Sequence, residues 1–225
     1  MFEGENLRSA LRGARYPEDF DFSRLVQELN GKVDLSSAIS EWALRDRDAA
    51  WGAVKPQLSQ QQGQDQSSSH PYEQFESLRS LVRAVVAKDG ETNGMQWALT
   101  QLSPLDPARR LEYLRGLSMR NEFSPEGIAA MASSLPPDER FDYASSLARS
   151  GNIGPSAYAA IETLPRENLL YLIHRDIYHL RSGPEAIFRT KPEAFERLWS
   201  DVRTRFQLTP EEISRITSAN QQDPR

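Results

Sequence analysis

The sequence predicts an all-α protein built as an α-solenoid-like stack of short helical hairpins. Three observations support this fold class: strand patterns are nearly absent, helix-start signals recur along the chain, and part of the chain repeats with a period near 30 residues. Such a period, with two short helices in each unit, is typical of solenoids, in which each hairpin covers its apolar face with a neighbour. A non-repetitive bundle of helices of similar length stays open as the alternative.

Many of the predicted helices begin with a proline followed by an acid. Proline suits the first helical turn because the amide that it lacks would have no partner there. Acids in that turn offset the positive end of the helix dipole. Thr209 and Glu212 have the spacing of a capping box. The segments of this kind are Ser124-Pro125-Glu126, Pro136-Pro137-Asp138-Glu139, Gly183-Pro184-Glu185, Lys191-Pro192-Glu193 and Thr209-Pro210-Glu211.

One stretch interrupts the helical pattern and predicts the domain organisation. Residues 59–70 are rich in Gln and Ser and contain no apolar residue, as is typical of a flexible linker or a long exposed loop. We therefore expect an N-terminal helical segment at 1–58, a linker at 59–70 and a helical-hairpin repeat domain at 71–219. The polar tail at 220–225 is expected to fray.

The repeat is clearest in the tyrosines of the predicted first helices of successive hairpins. Tyr113, Tyr143 and Tyr171 are 30 and 28 residues apart. The prolines that open the second helices keep a similar spacing of 30 and 29 residues, at Pro125, Pro155 and Pro184. Two sets of markers with the same period predict that whole hairpins repeat.

A recurring phrase links the two halves of the chain. Trp42-Ala43 and Trp97-Ala98 each precede an Asp-x-x-Ala or Asp-Pro-Ala step, and Leu-Pro pairs follow later. This cadence resembles uncharacterised bacterial helical-hairpin repeat proteins, which are loosely similar to tetratricopeptide and HEAT arrays. The resemblance covers residues 35–55 and 93–190, and departs from the tetratricopeptide pattern in its period and in the order of its Trp, Leu-Gly and Tyr residues. It implies a helical repeat with a role in binding other proteins, and no site residues.

Composition excludes several classes of function. The absence of cysteine excludes disulfides, thiol nucleophiles and thiolate metal sites. The net charge of −5 argues against a dedicated nucleic-acid binder, which usually carries a basic excess. No stretch reaches the ~18–20 apolar residues that a membrane helix needs, so we expect a soluble chain without membrane insertion. The acidic start predicts no signal peptide in the sequence as given; a cytoplasmic protein and an exported one that has lost a leader remain alternatives.

Six residues at or near repeat spacing are the candidate partner-binding residues. Aromatic side chains along a groove often anchor a peptide, and arginines bind carboxylates in a forked geometry. The structural alternative is that the tyrosines pack between hairpins and the arginines offset the negative ends of helix dipoles. The candidates are Tyr113, Tyr143, Tyr171, Arg115, Arg149 and Arg175.

The sequence contains no strong catalytic, phosphate-binding or metal-binding motif, so we expect no cofactor and no metal. The predicted function is a non-catalytic helical repeat scaffold that binds a protein or peptide. Nucleic acid is not expected as a partner. The alternative is an enzyme or small-ligand binder around His174, Asp176 and Tyr178, because such a group can perform acid–base chemistry in a cleft. Separate packing roles for His174 and Tyr178 are the structural alternative. The oligomeric state stays open.

Overall fold

In a computed structural model of the protein, residues 15–29, 32–59, 70–118, 123–149, 153–178 and 192–218 are described, with side chains except at 59 and 70–74. All regular elements in these ranges are helical, which confirms the all-α prediction. The helices are α1 (Phe22–Leu29), α2 (Ser36–Arg45), α3 (Arg47–Ser59), α4 (His70–Asp89), α5 (Glu91–Leu102), α6 (Pro107–Ser118), α7 (Pro125–Ser133), α8 (Pro137–Ala148), α9 (Pro155–Glu162), α10 (Arg166–Leu172), α11 (Pro192–Arg205) and α12 (Pro210–Thr217). A π-helical turn, Ile173–Ile177, directly follows α10.

The predicted helix-start signals are confirmed wherever they fall within the described residues. Ser124 caps α7 by accepting a hydrogen bond from the Gly127 amide at 3.1 Å. Thr209 and Glu212 form the predicted capping box at the start of α12, with reciprocal hydrogen bonds of 3.2 and 2.9 Å. The signal around Pro184 lies outside the described residues. The observed helix starts agree with the sequence prediction because a cap depends on side chains within one helical turn.

The chain divides into two compact units, Met1–Asp106 and Pro107–Arg225. This differs from the expected boundary at residues 59–70. Helix α4, which follows that stretch, packs against α2 and α3, which precede it. Leu81 and Val82 on α4 are fully buried, so the helices on either side of the polar stretch share one core. The composition of a connecting segment indicates its own solubility and says nothing about whether the flanking helices pack together.

Two glycines allow α4 and α5 to pack at close range. Gly90, the single residue between the two helices, has φ +84° and ψ 159°, a conformation that is essentially restricted to glycine. On α5, a Cβ atom at Gly94 would lie 2.6 Å from Val86 Cγ2 and 2.7 Å from Val86 Cα. The second contact is with backbone, so a rotamer change at Val86 cannot relieve it.

Gly94→Ala is therefore expected to lower the free energy of unfolding by about 1–3 kcal/mol, the usual cost of overpacking a core. The matched control is Gly52→Ala on α3, where a Cβ would meet nothing within 4 Å. That change is expected to stabilise by roughly 0.5–1 kcal/mol because alanine is the better helix former. Urea unfolding of both variants measures the difference. Effects of the same sign and size would show that α4 and α5 are not closely packed.

In the C-terminal unit, alternate helices pack against one another. Helix α6 packs against α8, α8 packs against α10 and its π-helical turn, and α7 packs against α9. The side chains that join the first set are separated by nearly one sequence repeat. The Arg110 guanidinium binds the Glu139 carboxylate 29 residues away, and the Ser118 and Tyr143 hydroxyls are hydrogen-bonded across 25 residues.

Candidate partner-binding surface

A buried carboxylate joins the end of α8 to the π-helical turn. The Asp176 side chain is 2% exposed and accepts hydrogen bonds from two arginines. Its Oδ1 accepts from Arg149 Nε at 2.8 Å and from Arg175 Nε at 2.9 Å, and its Oδ2 accepts from Arg175 Nη2 at 2.8 Å. We call Arg149, Arg175 and Asp176 the arginine–aspartate cluster. A buried carboxylate with three charge-assisted hydrogen bonds is well compensated for its burial.

Aromatic rings and a hydroxyl hold Arg175 in place. Its guanidinium carbon lies 5.0 Å from the centre of the Phe141 ring and 5.3 Å from that of Tyr171, within the range of cation–π attraction. The two rings stack on each other with centres 5.9 Å apart. Arg175 Nη2 also donates to Ser145 Oγ at 2.7 Å. The hydrogen bond to Asp176 raises the pKa of Arg175 above its ordinary value, so the group stays charged at physiological pH.

The three candidate tyrosines lie in different environments. Tyr143 is fully buried and Tyr113 is 7% exposed. The Tyr143 hydroxyl is hydrogen-bonded to Ser118 Oγ, and burial raises the pKa of Tyr143. Tyr171 is half-buried, beside Arg175. Tyr143 therefore has no exposed surface and Tyr113 has little. Tyr171 is the most exposed of the three tyrosines.

The structure brings Arg149, Arg175 and Tyr171 together and leaves Arg115 outside the arginine–aspartate cluster. Arg149 follows α8 directly, and its side chain is 58% exposed. Arg115 is exposed on α6 and forms no hydrogen bond or ion pair with the described part of the chain. Sequence reasoning missed the supporting residues Phe141 and Ser145. The 30-residue separation of Ser145 from Arg175 matches the repeat period and was the available signal for that contact.

In the alternative site, the side chains of His174, Asp176 and Tyr178 contact different parts of the C-terminal unit. His174 Nδ1 lies 2.6 Å from the Ile216 carbonyl oxygen on α12, so it carries the proton and donates. The Tyr178 ring packs against Phe195 and Trp199 on α11, with ring centres 6.1 and 5.4 Å away. Both Asp176 oxygens are bonded to arginines. These contacts favour packing roles over acid–base chemistry.

The N-terminal unit contains a cleft of about 500 Å³ between α1, α2 and α3. Trp42 on α2 and small residues of α3 line it. Trp42 is 9% exposed. The side chains that line the cleft include Val26, Trp42, Ala49, Ala53, Pro56 and Gln57.

Among the described residues, no group of three His, Cys, Asp or Glu side chains is arranged to hold a metal ion. In the same ranges, no helix has the length and apolar character needed to cross a membrane.

In the described residues the fold is all-helical, and the arginine–aspartate cluster lies between the end of α8 and the π-helical turn that follows α10. Comparison of the chain with protein-family models, curated proteins and solved structures gives no match.

Proposed function

We propose that this protein is a non-catalytic helical repeat scaffold that binds a protein or peptide partner. The partner-binding surface consists of Arg149, Arg175 and the exposed side of Tyr171. The observation that carries the proposal is the arginine–aspartate cluster: a buried Asp176 holds two guanidinium groups at the surface, one of them 58% exposed. Aromatic and arginine side chains are the residue types most enriched in the energetic centres of protein interfaces.

The packing of the C-terminal unit supports an α-solenoid-like architecture as part of this proposal. In such a stack, each hairpin packs its first helix on the first helix of the next hairpin, and its second helix on the next second helix. Helices α6, α8 and α10 pack in that succession, and so do α7 and α9. Contacts across 27 residues at Arg149–Asp176 and across 30 at Arg175–Ser145 agree with the sequence period. The resemblance to bacterial helical-hairpin repeat proteins belongs to the same proposal.

Affinity capture with matched variants tests the proposed surface. The unaltered chain and its variants Arg149→Glu and Arg197→Glu serve as baits in a lysate of the source organism, with quantitative mass spectrometry of the retained proteins. Arg197 is the control because it is also an exposed arginine of the same unit, on α11. We expect a reproducible partner that Arg149→Glu loses and Arg197→Glu keeps. With that partner purified, Arg149→Glu is expected to raise Kd about tenfold or more, which corresponds to ~1.4 kcal/mol.

Two results would contradict the proposal in different ways. Equal retention by all three baits would place the partner on another part of the molecule. A set of retained proteins no different from that of the heat-unfolded chain would contradict the scaffold function itself. Circular dichroism of each bait verifies that the variants are folded before capture.

A further inference from the structure

The arginine–aspartate cluster carries an excess of positive charge. Two guanidinium groups share the single carboxylate of Asp176, and no second acidic partner of either arginine is present in the described ranges. Elsewhere in the C-terminal unit, ion pairs match one arginine to one acid, as in Arg205–Glu162 and Arg215–Glu167. The cluster therefore has a net charge of one positive unit next to solvent.

Arg149 is the more exposed of the two arginines, with 58% of its side chain exposed against 28% for Arg175. Arg149 uses Nε to bind Asp176, and its Nη1 and Nη2 groups form no hydrogen bond with the residues that the structure describes. A guanidinium that donates from Nε still has its Nη1/Nη2 edge, which can bind one carboxylate with two hydrogen bonds. Asp176 thus orients Arg149 as well as neutralising part of its charge.

Orientation before binding favours affinity. A free surface arginine loses side-chain entropy when a partner immobilises it. Arg149 is already hydrogen-bonded to a buried carboxylate, and Arg175 beside it is held by Asp176, Ser145 and two aromatic rings. The two arginine side chains therefore lose less conformational entropy when an anion binds.

We propose that the partner presents an acidic peptide segment, and that one of its carboxylates binds the Nη groups of Arg149 beside Arg175 and Tyr171. This inference rests on the proposed function, because it names the partner class for the same surface. A peptide carboxylate suits a single excess cation. Nucleic acid carries a dense row of phosphates and is bound by proteins with several cations in line, whereas this chain has a net charge of −5.

Fluorescence anisotropy with three labelled peptides tests the inference. The probes are a Glu-rich peptide and two versions of it in which Gln or Lys replaces every Glu, titrated with the unaltered chain. We expect the Glu peptide to bind more tightly than the other two. Arg149→Gln is expected to weaken its binding about tenfold, as for the loss of a charge-assisted pair. Arg149→Lys should fall between the two because it keeps the charge and loses the fork, and Arg197→Gln should bind like the unaltered chain.

Three outcomes would overturn the acidic-partner inference. The first is equal binding of the Glu and Gln peptides with no effect of Arg149→Gln. The second is an equal loss on Arg197→Gln, which would indicate attraction by diffuse charge. The third is tighter binding of an oligothymidine of the same charge as the Glu peptide. The proposed function is tested separately by the captured partner. If that partner requires Arg149 but the Glu peptide is not preferred, the scaffold function is supported and the inference of an acidic partner segment is wrong. Melting curves of the variants verify that each remains folded.

Discussion

Asp176→Ala is expected to lower the free energy of unfolding of the C-terminal unit by about 3 kcal/mol. Removing one partner of a buried ion pair typically costs ~3–5 kcal/mol because the remaining charge stays desolvated. Here the loss falls at the low end of that range. The side chains of Arg149 and Arg175 are 58% and 28% exposed, so both guanidinium groups can recover hydration after the carboxylate is removed.

Urea unfolding of Asp176→Ala beside Glu112→Ala measures this effect. Glu112 is an exposed acid on α6, and its replacement is expected to change stability by less than about 0.5 kcal/mol. A third variant, Asp176→Asn, keeps the size of the side chain and removes its charge, so it separates charge from packing. If Asp176→Ala were as stable as the Glu112 control, Asp176 would not organise the two arginines, and the basis for the proposed surface would be lost.

Tyr143→Ala is expected to destabilise the same unit by about 3–5 kcal/mol, the usual cost of removing a large buried aromatic side chain. Tyr143 on α8 is fully buried. Its hydroxyl donates to Ser118 Oγ, because the single Ser118 hydroxyl proton is used in the 2.8 Å hydrogen bond to the Leu114 carbonyl. Tyr143→Phe removes that one hydrogen bond and keeps the ring, so it is expected to cost only about 1 kcal/mol.

Denaturation curves of the two Tyr143 variants separate ring packing from hydrogen bonding. A cost below about 1 kcal/mol for Tyr143→Ala would show that the ring is not in the core. The expected destabilisation also makes Tyr143→Ala unsuitable as a test of partner binding. Loss of a partner on Tyr143→Ala would report unfolding, whereas Arg149 on the surface can be changed with the core intact.

The sequence predicted the features of this protein that depend on neighbours in the chain. The starts of α7 and α12 follow from Ser124-Pro125 and from the capping box at Thr209, where the contacts span three residues. On α4 the apolar residues Leu78, Leu81, Val82 and Val85 recur at three- and four-residue spacing, and all four are buried. Within the described residues, local propensity and hydrophobic period therefore account for the all-α class.

The surface was predicted less completely, because equivalent sequence positions do not have equivalent environments. Tyr143 and Tyr171 are matched by the repeat, yet Tyr143 is covered while Tyr171 is half-buried. Arg149 and Arg175 were both candidates, but only the structure shows Asp176 between them. Asp176 belonged to a different hypothesis at the sequence level, as a member of an acid–base group.

Sequence alone determined the helices and where several begin, because those choices are made by hydrogen bonds and side-chain contacts within one or two turns. Tertiary structure decided which helices share a core, placing α4 with α2 and α3. It also decided which side chains meet across 27 to 30 residues, at Asp176 and Ser145. Such long-range contacts depend on how whole helices pack, and on the π-helical turn that carries Arg175 and Asp176.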